Sequence, residues 1–125
     1  MPRAENDACD LLCLDLPHAE QIRAALPEVR TVEPLADAAR ALGDSTRLTI
    51  ATALLRGGEM CGCDMAWVVS QSQNLVSHHL RVLKGAGLVT SKRRGRLVLY
   101  SLTERGTELV TVVVGATLVA GDGRG

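Results

Sequence analysis

Four cysteines in two close pairs are the residues of this chain best equipped for chemistry. Cys9 and Cys13 stand in Cys-Asp-Leu-Leu-Cys, and Cys61 and Cys63 in Glu-Met-Cys-Gly-Cys-Asp. An i, i+4 spacing aligns the first pair on one helical turn. An i, i+2 spacing splays side chains apart on a helix but puts them on one side of an extended segment. The second pair therefore works best at the entrance to a helix, with Cys61 still in the loop and Gly62 giving the backbone room to chelate. Neither pair alone completes a tetrahedral site. Together they offer four sulfurs, a set suited to Zn²⁺ and to softer ions such as Cd²⁺. Four thiolates leave the site with excess negative charge, which weakens phosphate binding within a Debye length of about 8–10 Å. Asp10, Asp15, His18 and Asp64 are nearby alternative ligands that read better as surface or capping residues. A reversible dithiol/disulfide sensor is the other chemistry open to these thiols.

The chain that must position them has 125 residues, enough for one domain with a modest core and surface left for an oligomer interface. Phe is absent and there is one Trp and one Tyr, so the core falls to Leu, Val and Ala. That scarcity argues against single-strand binding by aromatic stacking. Formal charge sums to zero but is unevenly placed. Residues 1–64 hold six Lys/Arg and eleven Asp/Glu, whereas residues 65–125 hold eight and three. The basic half points to a polyanion partner. No signal-like leader or apolar run of membrane-spanning length is visible, so a cytoplasmic protein with reduced thiols is expected. Reduced thiols favour metal or redox chemistry over disulfide staples.

Along the chain, residues 1–31 read as an acidic arm and residues 32–120 as a folded domain. Residues 121–125 read as a flexible tail. Residues 18–26 can form a short helix between prolines. Pro34 suits the first turn of a helix running to about Leu42. Asp44 or Ser45 caps the next helix, through Leu55, with Leu48, Ala51 and Leu55 as its apolar stripe. A short helix follows over about residues 63–70, with Met65, Ala66 and Val69 inward. Ser72 caps a helix from Gln73 to Lys84. Leu88–Ser91 and Leu97–Leu102 read as strands around a basic tip at residues 92–96. Residues 104–120 are long enough to favour a helix, and so apolar that a second subunit is its natural cover. The expected class is mainly α with a small β-hairpin: a winged helix-turn-helix, homodimeric.

On the Gln73–Lys84 helix, Val76, Leu80 and Leu83 share the inward face. Gln73, Asn74, Ser77, His78 and Arg81 form a polar stripe on the other. Gln and Asn suit adenine and Arg suits guanine, while Ser and His serve base or backbone. Such a helix enters the major groove by its N-terminal end. Lys92, Arg93, Arg94 and Arg96 then form a wing able to reach phosphate or minor groove. His78 and His79 diverge by about 100° on a helix and do not readily share a metal. His79 reads as a packing or cap residue.

The segments Leu42-Gly43-Asp44-Ser45-Thr46-Arg47-Leu48, Glu59-Met60-Cys61-Gly62-Cys63-Asp64, Val76-Ser77-His78-His79-Leu80 and Gly95-Arg96-Leu97-Val98-Leu99-Tyr100-Ser101-Leu102 resemble the ArsR/SmtB family of bacterial metal-sensing repressors. The likeness runs from about Val32 to Val110. With both cysteine pairs present, it is nearest to the cadmium/lead/zinc-responsive branch. The resemblance implies a homodimer that represses a metal-efflux operon and leaves double-stranded operator DNA when Cd²⁺, Pb²⁺ or Zn²⁺ binds. It implies that Cys9 and Cys13 of one subunit join Cys61 and Cys63 of the other, with Cys13 of lesser consequence. Arsenic sensors often carry another cysteine where Ala66 stands, which disfavours that version. Many relatives hold a second zinc site on the last helix. The matching positions here are Glu104, Gly106, Thr117 and Ala120, so no zinc is expected there. The rivals are a thiol redox repressor of the same fold and a constitutive zinc-stabilised DNA-binding protein. An enzyme is disfavoured, because no catalytic base, phosphate loop or nucleophile elbow accompanies the thiols.

Overall fold

The computed structural model describes residues 14–124, with side chains described as far as Gly115. Cys9, Cys13 and Asp10 therefore lie outside the described residues. The chain divides into two compact units, residues 1–32 and 33–125.

In the first unit, helix α1 spans Leu16–Ala25 and buries none of its residues. Asp15 is its N-cap, accepting from the His18 backbone N–H at 3.3 Å, which is a capping role rather than a ligand role. Helix α2 spans Val29–Ala41, and its residues 33–41 belong to the second unit. Pro34 lies inside it, not in its first turn. The helix begins earlier than the proline suggests because the Glu28 carbonyl already accepts from the Thr31 and Val32 amides at 2.9 and 3.2 Å.

In the second unit, α3 spans Ser45–Gly57, capped by Asp44, whose carboxylate accepts from the Arg47 amide at 3.0 Å. Its buried face is Ile50, Ala51 and Leu54, one step round from the expected stripe, with Leu48 and Leu55 only partly covered. Strand β1 is Met60–Cys61 and helix α4 Gly62–Val69. Ser70, in the left-handed conformation, turns the chain toward α5, Gln73–Gly85. The Ser72 hydroxyl caps α5 by accepting from the Leu75 amide at 3.1 Å. Val76, Leu80 and Leu83 are almost fully buried, as their helical spacing requires.

Strands β2 (Val89–Arg94) and β3 (Leu97–Leu102) form an antiparallel hairpin closed by Gly95-Arg96. Pairing continues to Arg94↔Leu97, so the expected five-residue tip shrinks to two residues, with Lys92, Arg93 and Arg94 inside the strand. Gly95 has φ +64° and Arg96 does not, the pattern of a type II′ turn that suits strand twist. The sheet order is β1-β3-β2, with Met60 opposite Tyr100 and Cys61 opposite Leu99.

Helix α6 spans Glu104–Arg124 and breaks at Gly115, where φ is 47° and ψ is −150°. Helical backbone runs past the expected end at Ala120, since no proline intervenes to stop it. Val110 and Val114 enter the core, which Ala38 and Ala41 of α2 join together with α3, α4, α5 and the sheet. Among the described residues, no helix is long and apolar enough to cross a membrane.

Candidate metal centre and nucleic-acid interface

Cys61 stands where β1 becomes α4. Its φ of −85° and ψ of 165° are extended, it is the N-cap of α4, and its backbone pairs with Leu99 of the wing. Cys63 is the second residue of the helix. Both are free thiols, Cys61 partly covered and Cys63 exposed. The extended step before a helix start is the conformation that an i, i+2 pair of ligands calls for. These two sulfurs supply half of a tetrahedral thiolate set. Among the described residues, no group of three or more His, Cys, Asp or Glu side chains is placed to hold a metal.

One contact joins this pair to the next helix. The Gln73 side-chain Nε2 donates to Cys63 Sγ at 3.1 Å. Gln73 is the first residue of α5, so a residue of the polar stripe touches a candidate metal ligand. The rest of that stripe is open: Asn74, His78 and Arg81 are exposed and Ser77 is half-buried. His79 turns inward and is only 7% exposed.

The wing is tied back to the cysteine loop. Glu59, two residues before Cys61, pairs with Lys92 Nζ at 3.1 Å and with Arg94 Nη2 at 3.5 Å. Lys92 and Arg94 alternate with Arg93 along β2 and so share one side of it. Among the described residues, the side chains of Arg81, Arg93 and Arg96 have no hydrogen bond or ion pair. Lys84, at the end of α5, donates to Ser91 Oγ at 2.7 Å and fixes the helix to β2.

A network behind α5 orients it. Arg47 Nε donates to the Ala41 carbonyl at 2.8 Å, and its Nη1 lies 3.3 Å from His79 Nδ1. Since arginine only donates, Nδ1 accepts and the imidazole is neutral, with its proton on Nε2. Burial pushes the His79 pKa below its usual value; Asp44 opposes this and the Arg47 charge adds to it. The amide of Arg47 donating to the Asp44 carboxylate holds that group below the usual carboxylate range.

The sequence profile described as "Bacterial regulatory protein, arsR family" matches residues 44–91, from the cap of α3 into β2. A cadmium resistance transcriptional regulatory protein CadC homolog of Staphylococcus aureus is 35% identical over 101 residues, covering 79% of this chain and 81% of that protein. A transcriptional repressor SmtB homolog of Synechocystis is 39% identical over 103 residues, covering 80% and 77%. The chain belongs to the ArsR/SmtB family. A solved homodimeric winged helix-turn-helix DNA-binding domain from Mycobacterium bovis, described as a possible ArsR-family transcriptional regulator, has the same fold. It aligns with a TM-score of 0.60 and 26% identity over 78% of this chain and 90% of its own.

Within this ArsR/SmtB framework α4 and α5 are the helix-turn-helix and β2–β3 the wing. The protein's relatives are transcriptional regulators rather than enzymes. At Gly106, the position that the resemblance matches to a zinc ligand, a side chain has no room. A Cβ there would overlap the Leu88 carbonyl oxygen and stand 3.2 Å from Leu88 Cα. That close approach is held by Thr103, whose amide donates to the Leu88 carbonyl at 3.0 Å and whose hydroxyl accepts from the Gly106 amide at 2.9 Å. Sequence reasoning missed β1, the Glu59 clamp, the Gln73–Cys63 contact and the Arg47–His79 pair. Glu59 carried one usable signal, an acid beside a chelating pair in a chain whose cations cluster in the wing.

Proposed function

We propose that this protein is a homodimeric repressor whose grip on operator DNA weakens when a soft divalent cation binds its cysteine thiolates. The inducer is Cd²⁺, Pb²⁺ or Zn²⁺, and the genes controlled are those of metal efflux or resistance. Cys61 and Cys63 are ligands, completed by Cys9 and Cys13 of the partner subunit's arm. Gln73, Asn74, Ser77, His78 and Arg81 meet the major groove, and Lys92, Arg93, Arg94 and Arg96 meet the backbone beside it. The protein works in the cytoplasm, on double-stranded DNA.

One observation carries this reading: two free, solvent-reaching thiols sit at the first turn of α4, and one of them accepts a hydrogen bond from the first residue of α5. The donor chemistry fits a soft cation, since exposed thiols without a disulfide are free to lose their protons to it. The relatives named for cadmium resistance favour metal as the signal. Dimerisation is favoured by the apolar outer surface of α6, where Val112 is 79% and Val113 53% exposed. Beside it Leu35, Leu42, Leu109 and Val113 line a cavity of about 420 Å³. Metal and DNA prefer different states of one dimer, so each weakens the other by the same factor.

A metal titration with two readouts tests this. Sulfur-to-metal charge transfer in the ultraviolet reports the ligands, and fluorescence anisotropy of labelled operator reports release. Saturating metal is expected to weaken operator binding by at least tenfold, with Cys9→Ser and Cys61→Ser abolishing the effect. Release by oxidant, reversal by reductant and indifference to metal would instead establish a redox repressor.

A further inference from the structure

We infer that Gln73 is the positioning residue that transmits metal occupancy at Cys63 to the DNA-reading surface, by being either held by the sulfur or released to the operator. The inference rests on the metal-responsive reading above and names the device that links its two sites.

The geometry is specific. Gln73 opens α5, and its amide nitrogen lies 3.1 Å from Cys63 Sγ. It is exposed, so the contact comes from mutual reach and not from confinement in the core. A glutamine reads adenine by presenting its N–H and C=O together to one base edge. Directed at a sulfur on α4, the side chain cannot make that bidentate contact. The two engagements therefore compete for one side chain.

The chemistry of the sulfur sets the balance. Sulfur is a weak hydrogen-bond acceptor, so with no metal bound Gln73 leaves it readily for a base or phosphate. A bound soft cation is held by sulfur as thiolate, which keeps lone pairs free to accept. A charged acceptor roughly doubles the strength of a hydrogen bond. Gln73 is then retained beside α4, and each recognition helix loses the side chain at its entry end. In the reverse direction, operator that captures Gln73 strips the thiolate of a donor and lowers metal affinity. Ser72 supplies the cap of α5 independently, so a change at Gln73 leaves the helix start in place.

The test measures operator affinity with and without saturating Cd²⁺ for the full-length dimer, for Gln73→Leu and for Ser77→Ala, with the charge-transfer band recorded for each. Both variants lose a proposed DNA-facing group, but the side chain hydrogen-bonded to Cys63 Sγ is that of Gln73. Ser77→Ala is expected to weaken both DNA complexes equally, preserving the ratio of the two affinities. Gln73→Leu is expected to shrink that ratio at least fivefold while still binding Cd²⁺. It should also move the charge-transfer band to longer wavelength, because losing an N–H donor raises the energy of the sulfur lone pairs. A ratio within twofold of wild type in Gln73→Leu overturns the inference and leaves the metal-responsive repressor standing. Equal shrinkage in both variants, or an unmoved band, also overturns it. A wild-type dimer indifferent to Cd²⁺ overturns both.

Discussion

His79 is the buried polar side chain of the described core, and its protonation state sets how the fold responds to acid. Its Nδ1 faces the Arg47 guanidinium, so protonation would oppose donor to donor. Burial, the largest cause, holds its pKa below the ordinary histidine value of 6.5. The sign follows from linkage. Below about pH 6.5 the unfolded chain binds a proton at this histidine that the folded one refuses, so stability falls as pH drops and levels off below the folded pKa. Asp44, also depressed, acts lower: its contribution is present above 3.8 and lost as pH falls toward its folded pKa. Urea unfolding of the metal-free protein with chelator present should therefore show stability decreasing from pH 7.5 to 5.5. The slope should not exceed about 1.4 kcal/mol per pH unit for one group. His79→Gln should flatten that slope whatever its effect on stability at pH 7.5. An unchanged slope would move the linkage to another group.

At the scale of elements, the cysteine loop is tied to both DNA-reading elements: Cys63 to α5 through Gln73, and β1 to the wing through its pairing with β3. Glu59 adds an electrostatic clamp, occupying Lys92 and Arg94, the cations a phosphate would take. Both cations are more than half exposed, so each pair is worth only about 0.2–1 kcal/mol after solvent screening. Glu59→Gln should accordingly tighten metal-free operator binding by about two- to fivefold at low salt. It should also steepen the salt dependence, since each added phosphate contact contributes about 0.9 to the slope. Anisotropy titrations across a salt series would reveal it; unchanged or weaker binding would mean the clamp does not compete with DNA. This element-level wiring was only half legible in the sequence. Caps and periodicity are local signals, which is why Asp44, Ser72 and the Val76–Leu80–Leu83 face could be read directly. Strand β1 exists because Met60 finds Tyr100 far along the chain, and a two-residue strand has no period of its own. The wing's length was set by cross-strand register, which carried Lys92, Arg93 and Arg94 into β2. The need for glycine at position 106 comes from the Leu88 backbone, again invisible locally.

At the scale of the whole molecule, two sulfurs at the start of α4 cannot complete a tetrahedral site, and the other two cysteines, Cys9 and Cys13, belong to the segment expected to form an N-terminal arm, outside the described residues. If the arm serves its own subunit, each protomer is a self-sufficient sensor. If it serves the partner, the dimer is the smallest sensing unit, and metal acts on the relation between the two recognition helices rather than on either alone. That relation is what a two-fold operator reads, since dimers bind half-sites one helical turn apart. Subunit mixing separates the cases. One subunit carries Cys9→Ser with Cys13→Ser, the other Cys61→Ser with Cys63→Ser. Neither homodimer can assemble four sulfurs in either arrangement. In the mixed dimer, an arm crossing over brings its two cysteines to the intact pair of the other subunit, making one full site. An arm that stays home makes none. The expected outcome is that mixing restores the charge-transfer band to about half the wild-type intensity per dimer, together with metal-dependent operator release. A mixed dimer as silent as its parents would place all four ligands within one chain. The switch would then have to act through each subunit's own α4–α5 contact.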